Sequence, residues 1–392
     1  MNIKCLKIFL YLSLLSLTTY VGGAESQAVK GTPESFKHSS EIKFWQSYTA
    51  SPKGGMTYWN NDSQQYEVKK LNRINETFRS GYGYVNVEGN LIFTNITTRE
   101  GFIYWHEGYS SLEEFVYFQG AFSYTPFHLE SGNIFESGDR YFYKRANLIR
   151  ACLKYSAADC VDIEVIRGSY TFVYAEKDSN VLVVTSWGDA VKFNGVSWCR
   201  MAKNSDDVFS CKPNEPMVIE PRSIQFYSSL QYQGEVLLGE WPTGSIYVFD
   251  GQTLKPSKKW TPPPMREREV LGYEAQSMAE YCGDLFVGYW PKGELWKFSR
   301  EKNQWEYFKR FFSSRGDETF IPWLNRPADK KTPAFFGQRI TALIPHERSL
   351  YVVTSNYGGW VDSVSVDHLL PSELDEYGSI YEIKGKDCLT VY

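Results

Sequence analysis

The chain has 392 residues, with 46 acidic and 42 basic side chains and a formal net charge of −4. This near balance excludes a strongly basic surface of the kind that holds nucleic acid or anionic membranes by charge. Aromatic residues make up 17% of the chain, including 28 Tyr and 12 Trp. These residue types favour β-strands and binding faces, so the composition favours a β-rich recognition protein.

The first 24 residues are typical of a cleaved export signal. Lys4 and Lys7 precede the apolar run "IFLYLSLLSL", and small residues at Gly22 and Ala24 suit a cleavage site after Ala24. The run is shorter than the roughly 20 residues that a membrane span needs. We therefore expect a signal peptide at 1–24, a flexible tail at 25–40 and a secreted, extracellular protein with no membrane span in the mature chain.

Three Asn-x-Ser/Thr triplets lie early in the mature chain. They begin at Asn61, Asn75 and Asn95. Such triplets are acceptors for N-linked glycans in exported eukaryotic proteins. They predict a glycosylated flank on the first part of the domain.

A short phrase repeats along the rest of the chain. "GEVLLGEWPTGSIYVFDG" begins at Gly234, and "GDLFVGYWPKGELWKFS" begins 49 residues later at Gly283. An apolar run, a turn and an alternating aromatic run are typical of a β-hairpin. Looser copies are found at 44–59, 90–105, 180–193 and 349–383, and we expect a degenerate copy around "RYFYKR" at Arg140.

The best copy predicts four strands, beginning at Glu274, Asp284, Gly293 and Gln304. Four short strands repeating every 45–55 residues resemble the β-propeller superfold, in which each four-stranded blade buries its faces against its neighbours around an axis. The resemblance is one of architecture and points to no specific family. We expect a single all-β domain at 41–392 with four antiparallel strands per blade and seven blades, a number favoured over six.

In propellers, the turn between the second and third strands lies on the same face as the links between blades. Applied to this chain, that rule gathers aromatic residues and a carboxylate on one face. The predicted ligand-binding residues are Trp187, Trp241, Trp290, Tyr357, Trp360 and Glu240. Flat rings on such a face stack on sugar rings or apolar side chains. The alternative is that each Trp fills the seam between neighbouring blades.

Catalytic signals are weak. His106, His128, Tyr124 and Arg140 lie in the degenerate region and could form a proton-abstracting group beside a uronate. Glu240 and Asp189 are candidates for a carboxylate pair of the kind that glycosidases use. No phosphate loop, nucleophile elbow or zinc motif is present, so no cofactor and no metal are expected.

Six cysteines remain after removal of Cys5 with the signal. They are Cys152, Cys160, Cys199, Cys211, Cys282 and Cys388. An even number in an exported chain predicts disulfides. Closing the shortest loops favours Cys152–Cys160 and Cys199–Cys211, which leaves Cys282 and Cys388, with buried free thiols as the alternative.

The sequence supports two functions from different classes. The favoured hypothesis is a secreted module that recognises an extracellular glycan or protein through the aromatic, loop-rich face, without nucleic acid as a partner. The alternative is a carbohydrate-active enzyme, a polysaccharide lyase or glycoside hydrolase, with its site on the same face.

Overall fold

The computed structural model of the chain describes residues 56–59, 66–73, 81–85, 91–95, 100–103, 115–117, 135–145, 147–154, 156–165, 172–185, 188–212, 224–266, 272–313, 338–346, 348–355, 370–385 and 388–391. This part of the chain is almost entirely β-strand. Two short helices are α1 (Pro263–Arg266) and α2 (Pro371–Leu374). Neither helix has the length and apolar character needed to cross a bilayer.

The first eleven strands cover the N-terminal half of the chain. They are β1 (Met56–Trp59), β2 (Tyr66–Arg73), β3 (Gly81–Val85), β4 (Leu91–Asn95), β5 (Glu100–Ile103), β6 (Phe115–Tyr117), β7 (Phe135–Ser137), β8 (Arg140–Arg145), β9 (Leu148–Leu153), β10 (Ser156–Glu164) and β11 (Phe172–Lys177).

Sixteen further strands follow. They are β12 (Asn180–Thr185), β13 (Ala190–Phe193), β14 (Trp198–Lys203), β15 (Phe209–Cys211), β16 (Gln225–Tyr232), β17 (Glu235–Trp241), β18 (Ile246–Phe249), β19 (Leu254–Pro256), β20 (Glu274–Tyr281), β21 (Asp284–Trp290), β22 (Glu294–Ser299), β23 (Gln304–Arg310), β24 (Arg339–His346), β25 (Ser349–Ser355), β26 (Ser379–Gly385) and β27 (Cys388–Val391).

These strands form six four-stranded antiparallel units, numbered here in chain order. Units 1 and 2 are β3–β6 and β7–β10, units 3 to 5 are β11–β14, β16–β19 and β20–β23, and unit 6 is β24–β26 with β2. Strand β15 joins the outer edges of units 3 and 4 into one nine-stranded sheet. The four strands predicted in the best copy are β20 to β23, and the degenerate copy at Arg140 is unit 2.

The units pack side by side through their apolar faces. Continuous buried clusters join unit 2 to unit 3, unit 3 to unit 4, unit 4 to unit 5 and unit 5 to unit 6. The first strands β11, β16, β20 and β24 lie next to one another, and β24 also lies against β3 of unit 1. Each sheet thus covers its neighbour, which is the packing of a β-propeller.

Unit 6 takes its outer strand from the other end of the chain. Strand β2 pairs with β26 from Tyr66 opposite Gly385 to Arg73 opposite Ser379. The Tyr66 hydroxyl also donates a hydrogen bond to Asp284 Oδ2 at 2.8 Å, which ties this strand to unit 5. Strand β2 is therefore held by two units from the C-terminal half of the chain.

The predicted seven blades are not confirmed. Six four-stranded units are present among the described strands. In the predicted copy at 44–59, the described strand is β1, and its partner in the sheet is β27. In the described residues this copy thus contributes to a two-stranded ladder rather than to a four-stranded unit.

Both predicted short-loop disulfides are formed. Cys152 and Cys160 lie opposite each other on β9 and β10, with Cα atoms 4.1 Å apart. Cys199 and Cys211 join β14 to β15, with Cα atoms 5.7 Å apart. Cys282 is disulfide-bonded as well. The side chain of Cys388, its predicted partner, lies outside the described residues.

The glycines of the repeated phrase lie at the middle of the contact between neighbouring units, called the seam, where the two sheets approach closely. Gly239 of unit 4 lies so close to unit 5 that an added Cβ would overlap the Ala275 carbonyl oxygen. Gly288 of unit 5 would place a Cβ 2.7 Å from Cβ of Ile340 in unit 6. Beside each glycine a serine reaches across the seam: Ser228 donates to Ala275 O at 3.0 Å, and Ser277 donates to Ile340 O at 2.8 Å.

The hydrogen bonds at the two ends of the seam also repeat from units 4 and 5 to units 5 and 6. At one end, Tyr232 donates its hydroxyl proton to Gly283 O, and Tyr281 donates to Arg348 O. At the other end, Pro242 O accepts hydrogen bonds from the amides of Gly272 and Tyr273 at 2.7 and 2.9 Å. The carbonyl of Pro291 likewise accepts from the Gln338 amide at 2.9 Å. The Trp-Pro-x-Gly turn of one unit therefore docks on the first strand of the next.

We predict that Gly288→Ala lowers the free energy of unfolding by about 2 kcal/mol, because the added methyl group overlaps Ser277 and Ile340. Gly138→Ala is the matched control: its Cβ meets nothing within 4 Å, so only the positive φ of 58° opposes the change. Urea unfolding of both variants measures the difference. A loss at Gly288 no larger than the loss at Gly138 would contradict the close seam.

Candidate functional site

The turn between β17 and β18 carries the central residue of the candidate site. Strand β17 ends at Trp241, the chain turns through Gly244 at φ +75°, and β18 begins at Ile246. A Cβ on Gly244 would lie 2.9 Å from Cβ of Tyr273, so the turn is held against unit 5. Both the Trp241–Pro242 and the equivalent Trp290–Pro291 peptide bonds are cis.

The Glu240 carboxylate organises this turn from inside. Its Oε2 accepts hydrogen bonds from the Thr243 hydroxyl at 2.6 Å, the Thr243 amide at 3.1 Å and the Ser245 amide at 3.3 Å. In the described part of the chain no hydrogen bond reaches Oε1. The second repeat has Tyr289 at the equivalent position, so this carboxylate is a local departure from the repeat.

Burial changes the acidity of Glu240. The residue is only 1% exposed, and its desolvation raises the pKa to about 7. The hydrogen bonds from Thr243 and Ser245 act in the opposite direction, and the nearby charge of Asp207 adds to the increase. Close to neutral pH the group is therefore a mixture of acid and carboxylate, able to donate or to accept a hydrogen bond.

Glu240 lines a cavity of about 400 Å³. Most of its wall comes from three places, the β14–β15 hairpin, the β17–β18 turn and the link that follows β19, and Ile224, just before β16, adds an apolar surface. Because β15 fuses the outer edges of units 3 and 4, the hairpin is held beside the turn. The volume lies in the range of small-molecule sites, roughly 300–1,000 Å³.

The cavity has a charged rim and a mixed floor. Lys203 and Asp207 from the hairpin form an ion pair at 2.7 Å, and Lys258 and Arg266 come from the link. Within the described residues neither of these last two cations has an acidic partner. Hydroxyl groups and apolar surfaces complete the wall: Thr243, Ser245, Ser257, Thr261, Pro242 and Tyr247. The arrangement suits a small polar ligand with an anionic group.

A second buried polar group lies on the first strands of units 5 and 6. Arg339 Nη2 stands 3.2 Å from Glu274 Oε2, and the guanidinium lies 5.5 Å from the centre of the Trp290 ring. Burial raises the pKa of Glu274 to about 7 although Arg339 opposes the shift. Gln276, two residues along β20, is fully buried, and its amide has no hydrogen-bond partner in the described residues.

The predicted aromatic residues have different environments. Trp290 is 1% exposed and lies beneath Arg339 of the next unit, which is the environment expected of a residue that fills a seam. Trp241 is partly exposed and stands between Glu240 and Pro242, two cavity residues. Trp187, Tyr357 and Trp360 lie outside the described residues. A ligand-contacting role for any of them stays a prediction.

The weak catalytic candidates are not brought together in the described part of the chain. His106, His128 and Tyr124 lie outside it. Arg140 donates to Ala151 O at 3.3 Å and lies 5.3 Å from the centre of the Phe193 ring, between units 2 and 3. Asp189, the predicted partner of Glu240, forms an ion pair with Arg200 at 2.8 Å.

The predicted glycosylation sites and the expected absence of a metal both stay predictions. Asn61 and Asn75 lie outside the described residues, and Asn95 is the last residue of β4, with its side chain not described. Among the described residues no group of three or more His, Cys, Asp or Glu side chains is arranged to hold a metal ion.

Sequence reasoning missed the charged half of the cavity. Lys203 ends β14 and Asp207 follows it, while Lys258 and Arg266 follow β19, so all four lie outside the repeated phrase. No motif connects them in sequence. The repeat located Glu240, but only the pairing of β15 with β19 shows which hairpin stands beside it.

Comparison with known proteins gives no family. No family model and no curated protein matches the chain. Similar solved structures include a virginiamycin B lyase from Staphylococcus aureus, with 10% identity, a TM-score of 0.36 and coverage of 82% of this chain and 99% of that one. An aldose sugar dehydrogenase from Streptomyces coelicolor shows 13% identity, a TM-score of 0.35 and coverage of 82% and 99%.

The C-terminal WD40 domain of Sif2 is also similar. It has 11% identity and a TM-score of 0.36, with coverage of 84% of this chain and 68% of that one. Identities and scores at this level carry no conclusion about what the present chain binds or does.

We predict that Glu240 makes stability depend on pH near neutrality. An unfolded glutamate titrates near pH 4.3, whereas the folded group titrates at about 7. Between these values the folded chain binds more protons than the unfolded chain. The stabilising contribution of Glu240 therefore decreases as pH rises from about 4.5 to about 7 and is constant above that.

The measurement compares the wild type with Glu240→Gln by urea unfolding from pH 5 to pH 8. The wild type should lose stability relative to the variant as pH rises. Glu274 is present in both proteins, so its own titration cancels in the difference. Two parallel curves would show that Glu240 has an ordinary pKa.

Proposed function

We propose that the chain is a secreted recognition module that binds an extracellular glycan or protein through the face that carries the β17–β18 turn. The observation that carries this proposal is the polar cavity beside Glu240. A concave site with a few fixed polar groups and apolar walls is the usual form of a small-ligand site. The predicted export signal and the disulfides support an extracellular setting.

The position of Trp241 strengthens the proposal. Trp241 is partly exposed, although its indole Nε1 is buried, whereas the equivalent Trp290 is buried throughout. Both neighbours of Trp241 in the chain line the cavity. The exposed part of Trp241, adjacent in the chain to two cavity residues, offers an apolar surface for a sugar ring or an apolar side chain.

We predict that Trp241→Ala weakens binding to ligands found on a glycan and protein array by at least about tenfold, or about 1.4 kcal/mol. Tyr307→Ala is the matched control, because Tyr307 is a 52%-exposed aromatic residue on the outer strand β23. Binding to immobilised ligand measures both. Equal affinities for the wild type and Trp241→Ala would remove this face from the proposal.

A carbohydrate-active enzyme is the second candidate. The observation that favours it is the presence of two carboxyl groups, Glu240 and Asp207, in one cavity. Glycoside hydrolases pair a carboxylic acid of raised pKa with a second carboxylate. Glu240 would be the acid and Asp207 the carboxylate, in place of the Asp189 pairing that the sequence suggested.

The enzyme candidate predicts new reducing ends, or the ultraviolet absorbance of unsaturated sugars, when purified protein is incubated with a polysaccharide panel. Turnover should fall at least about a hundredfold in Glu240→Gln, because general acid catalysis contributes roughly 10²–10⁴-fold. Tyr307→Ala should retain the wild-type rate. An inactive wild type on the whole panel would leave recognition as the function.

A further inference from the structure

The cavity has an excess of unpaired positive charge at its rim. Lys203 is paired with Asp207 at 2.7 Å. Lys258 is exposed and makes no ion pair within the described residues. Arg266 donates from Nε to Thr261 O and from Nη2 to Lys259 O, so backbone carbonyls orient its guanidinium without neutralising it. Two cations thus remain for an anionic group of a ligand.

The floor of the cavity is suited to hydroxyl groups. Thr243 and Ser245 are held by Glu240 Oε2, and their hydroxyl oxygens lie 2.7 Å apart. The Thr261 hydroxyl donates to Ser257 O and accepts from the Ile246 amide. Oε1 of Glu240 is the carboxyl oxygen left for a ligand. A neutral carboxyl donates to a sugar hydroxyl and a carboxylate accepts from one.

The size of the cavity limits which part of a ligand can enter it. A cavity of about 400 Å³ accepts one or two sugar rings or a single extended side chain. Polar groups on the floor favour a ring with several hydroxyls over a peptide side chain, which would meet Glu240 and Ser245 with few groups of its own. The apolar faces of Pro242 and Pro256 suit the carbon face of a sugar.

The protonation state of Glu240 affects the affinity of the cavity for an anionic ligand group at its rim. The groups around Glu240 are Lys203 and Asp207 from the hairpin, Lys258 and Arg266 from the link, Tyr247 from β18 and Tyr289 from β21 of unit 5. Burial raises the pKa values of Tyr247 and Tyr289 further above neutrality, so neither ionises near pH 7. The charge of Glu240, whose pKa is raised to about 7, changes between pH 6 and 8.

We propose that this cavity binds an acidic sugar residue, one that carries a carboxylate or a sulfate, with its anionic group at Lys258 and Arg266 and its hydroxyls toward Glu240. This assignment rests on the proposed recognition function and specifies its ligand. The negative charge gained by Glu240 above neutral pH lies in a poorly solvated site near the bound anion. Affinity therefore decreases as pH rises from 6 to 8.

The test uses the purified full chain and a pair of matched probes. One probe is a tetrasaccharide that ends in glucuronic acid, and the other is the same tetrasaccharide with that carboxyl reduced to a neutral hydroxymethyl group. A phosphoserine peptide and a sulfated tetrasaccharide complete the set. Calorimetric titration at pH 6 and pH 8 gives each Kd, and near-ultraviolet circular dichroism verifies that each variant is folded.

We expect the acidic tetrasaccharide, the sulfated one or both to bind at least tenfold more tightly than the reduced probe. The double variant Lys258→Gln with Arg266→Gln should remove that difference. Lys255→Gln is the matched control, because Lys255 is exposed on β19, pairs with Asp250 at 3.5 Å and does not line the cavity. Wild-type affinity should be several-fold weaker at pH 8 than at pH 6, and Glu240→Gln should show less than a twofold change.

Each other outcome overturns the assignment in a distinguishable way. Equal binding of acidic and reduced probes rejects the anionic class and leaves glycan recognition standing. Tight binding of the phosphoserine peptide with no saccharide binding assigns the cavity to a phosphorylated protein instead. If no probe binds but the protein binds other ligands on the array, and Trp241→Ala weakens that binding, the acidic sugar is rejected and the recognition face remains. If neither the probes nor the array ligands bind, the acidic sugar and the recognition function are both rejected.

Discussion

The fold depends on how closely neighbouring sheets approach one another. At Gly239 and Gly288 there is no room for a Cβ, and the serine beside each glycine satisfies a carbonyl of the next unit. A single sheet with two apolar faces is unstable in water. The close contact lets each unit bury one of these faces against its neighbour. The Trp-Pro-x-Gly turn and the seam tyrosine fix the two ends of the same contact. The repeat in the sequence is thus a repeat of one docking surface.

The candidate site arises where the repeat is broken. Glu240 replaces the buried tyrosine of the next unit, and Thr243 replaces Lys292, while the backbone of the turn is kept. A position that the repeat buries from water therefore holds a carboxyl group, and this burial raises the pKa of Glu240. The fused edge at β15 adds the charged hairpin. Departure from a structural repeat, rather than the repeat itself, marks the place where chemistry is concentrated.

The sequence predicted the architecture better than the site. A gapless repeat of 49 residues located β20 to β23 because hairpin strands, their glycines and their aromatic alternation are local in the chain. Completion of unit 6 by β2 was not predicted, since it joins residues more than 300 positions apart and no local pattern records such pairing. The same limit applies to Lys203, Asp207, Lys258 and Arg266, which meet Glu240 only through the fused sheet. Trp290 carried the same sequence signal as Trp241, and burial alone separates them.

The origin of the outer strand of unit 6 has a consequence for the order of folding during synthesis. Strand β2 leaves the ribosome more than 300 residues before its partner β26. Until β26 has been synthesised, the edge of β2 has no native partner, whereas units 3, 4 and 5 form from contiguous chain. Long-range pairing of this kind slows folding, because the closure entropy of a very long loop is lost before the strand contacts form. A nascent chain therefore carries an open strand edge while the more than 300 residues between β2 and β26 are made, and we expect a chaperone to shield that edge.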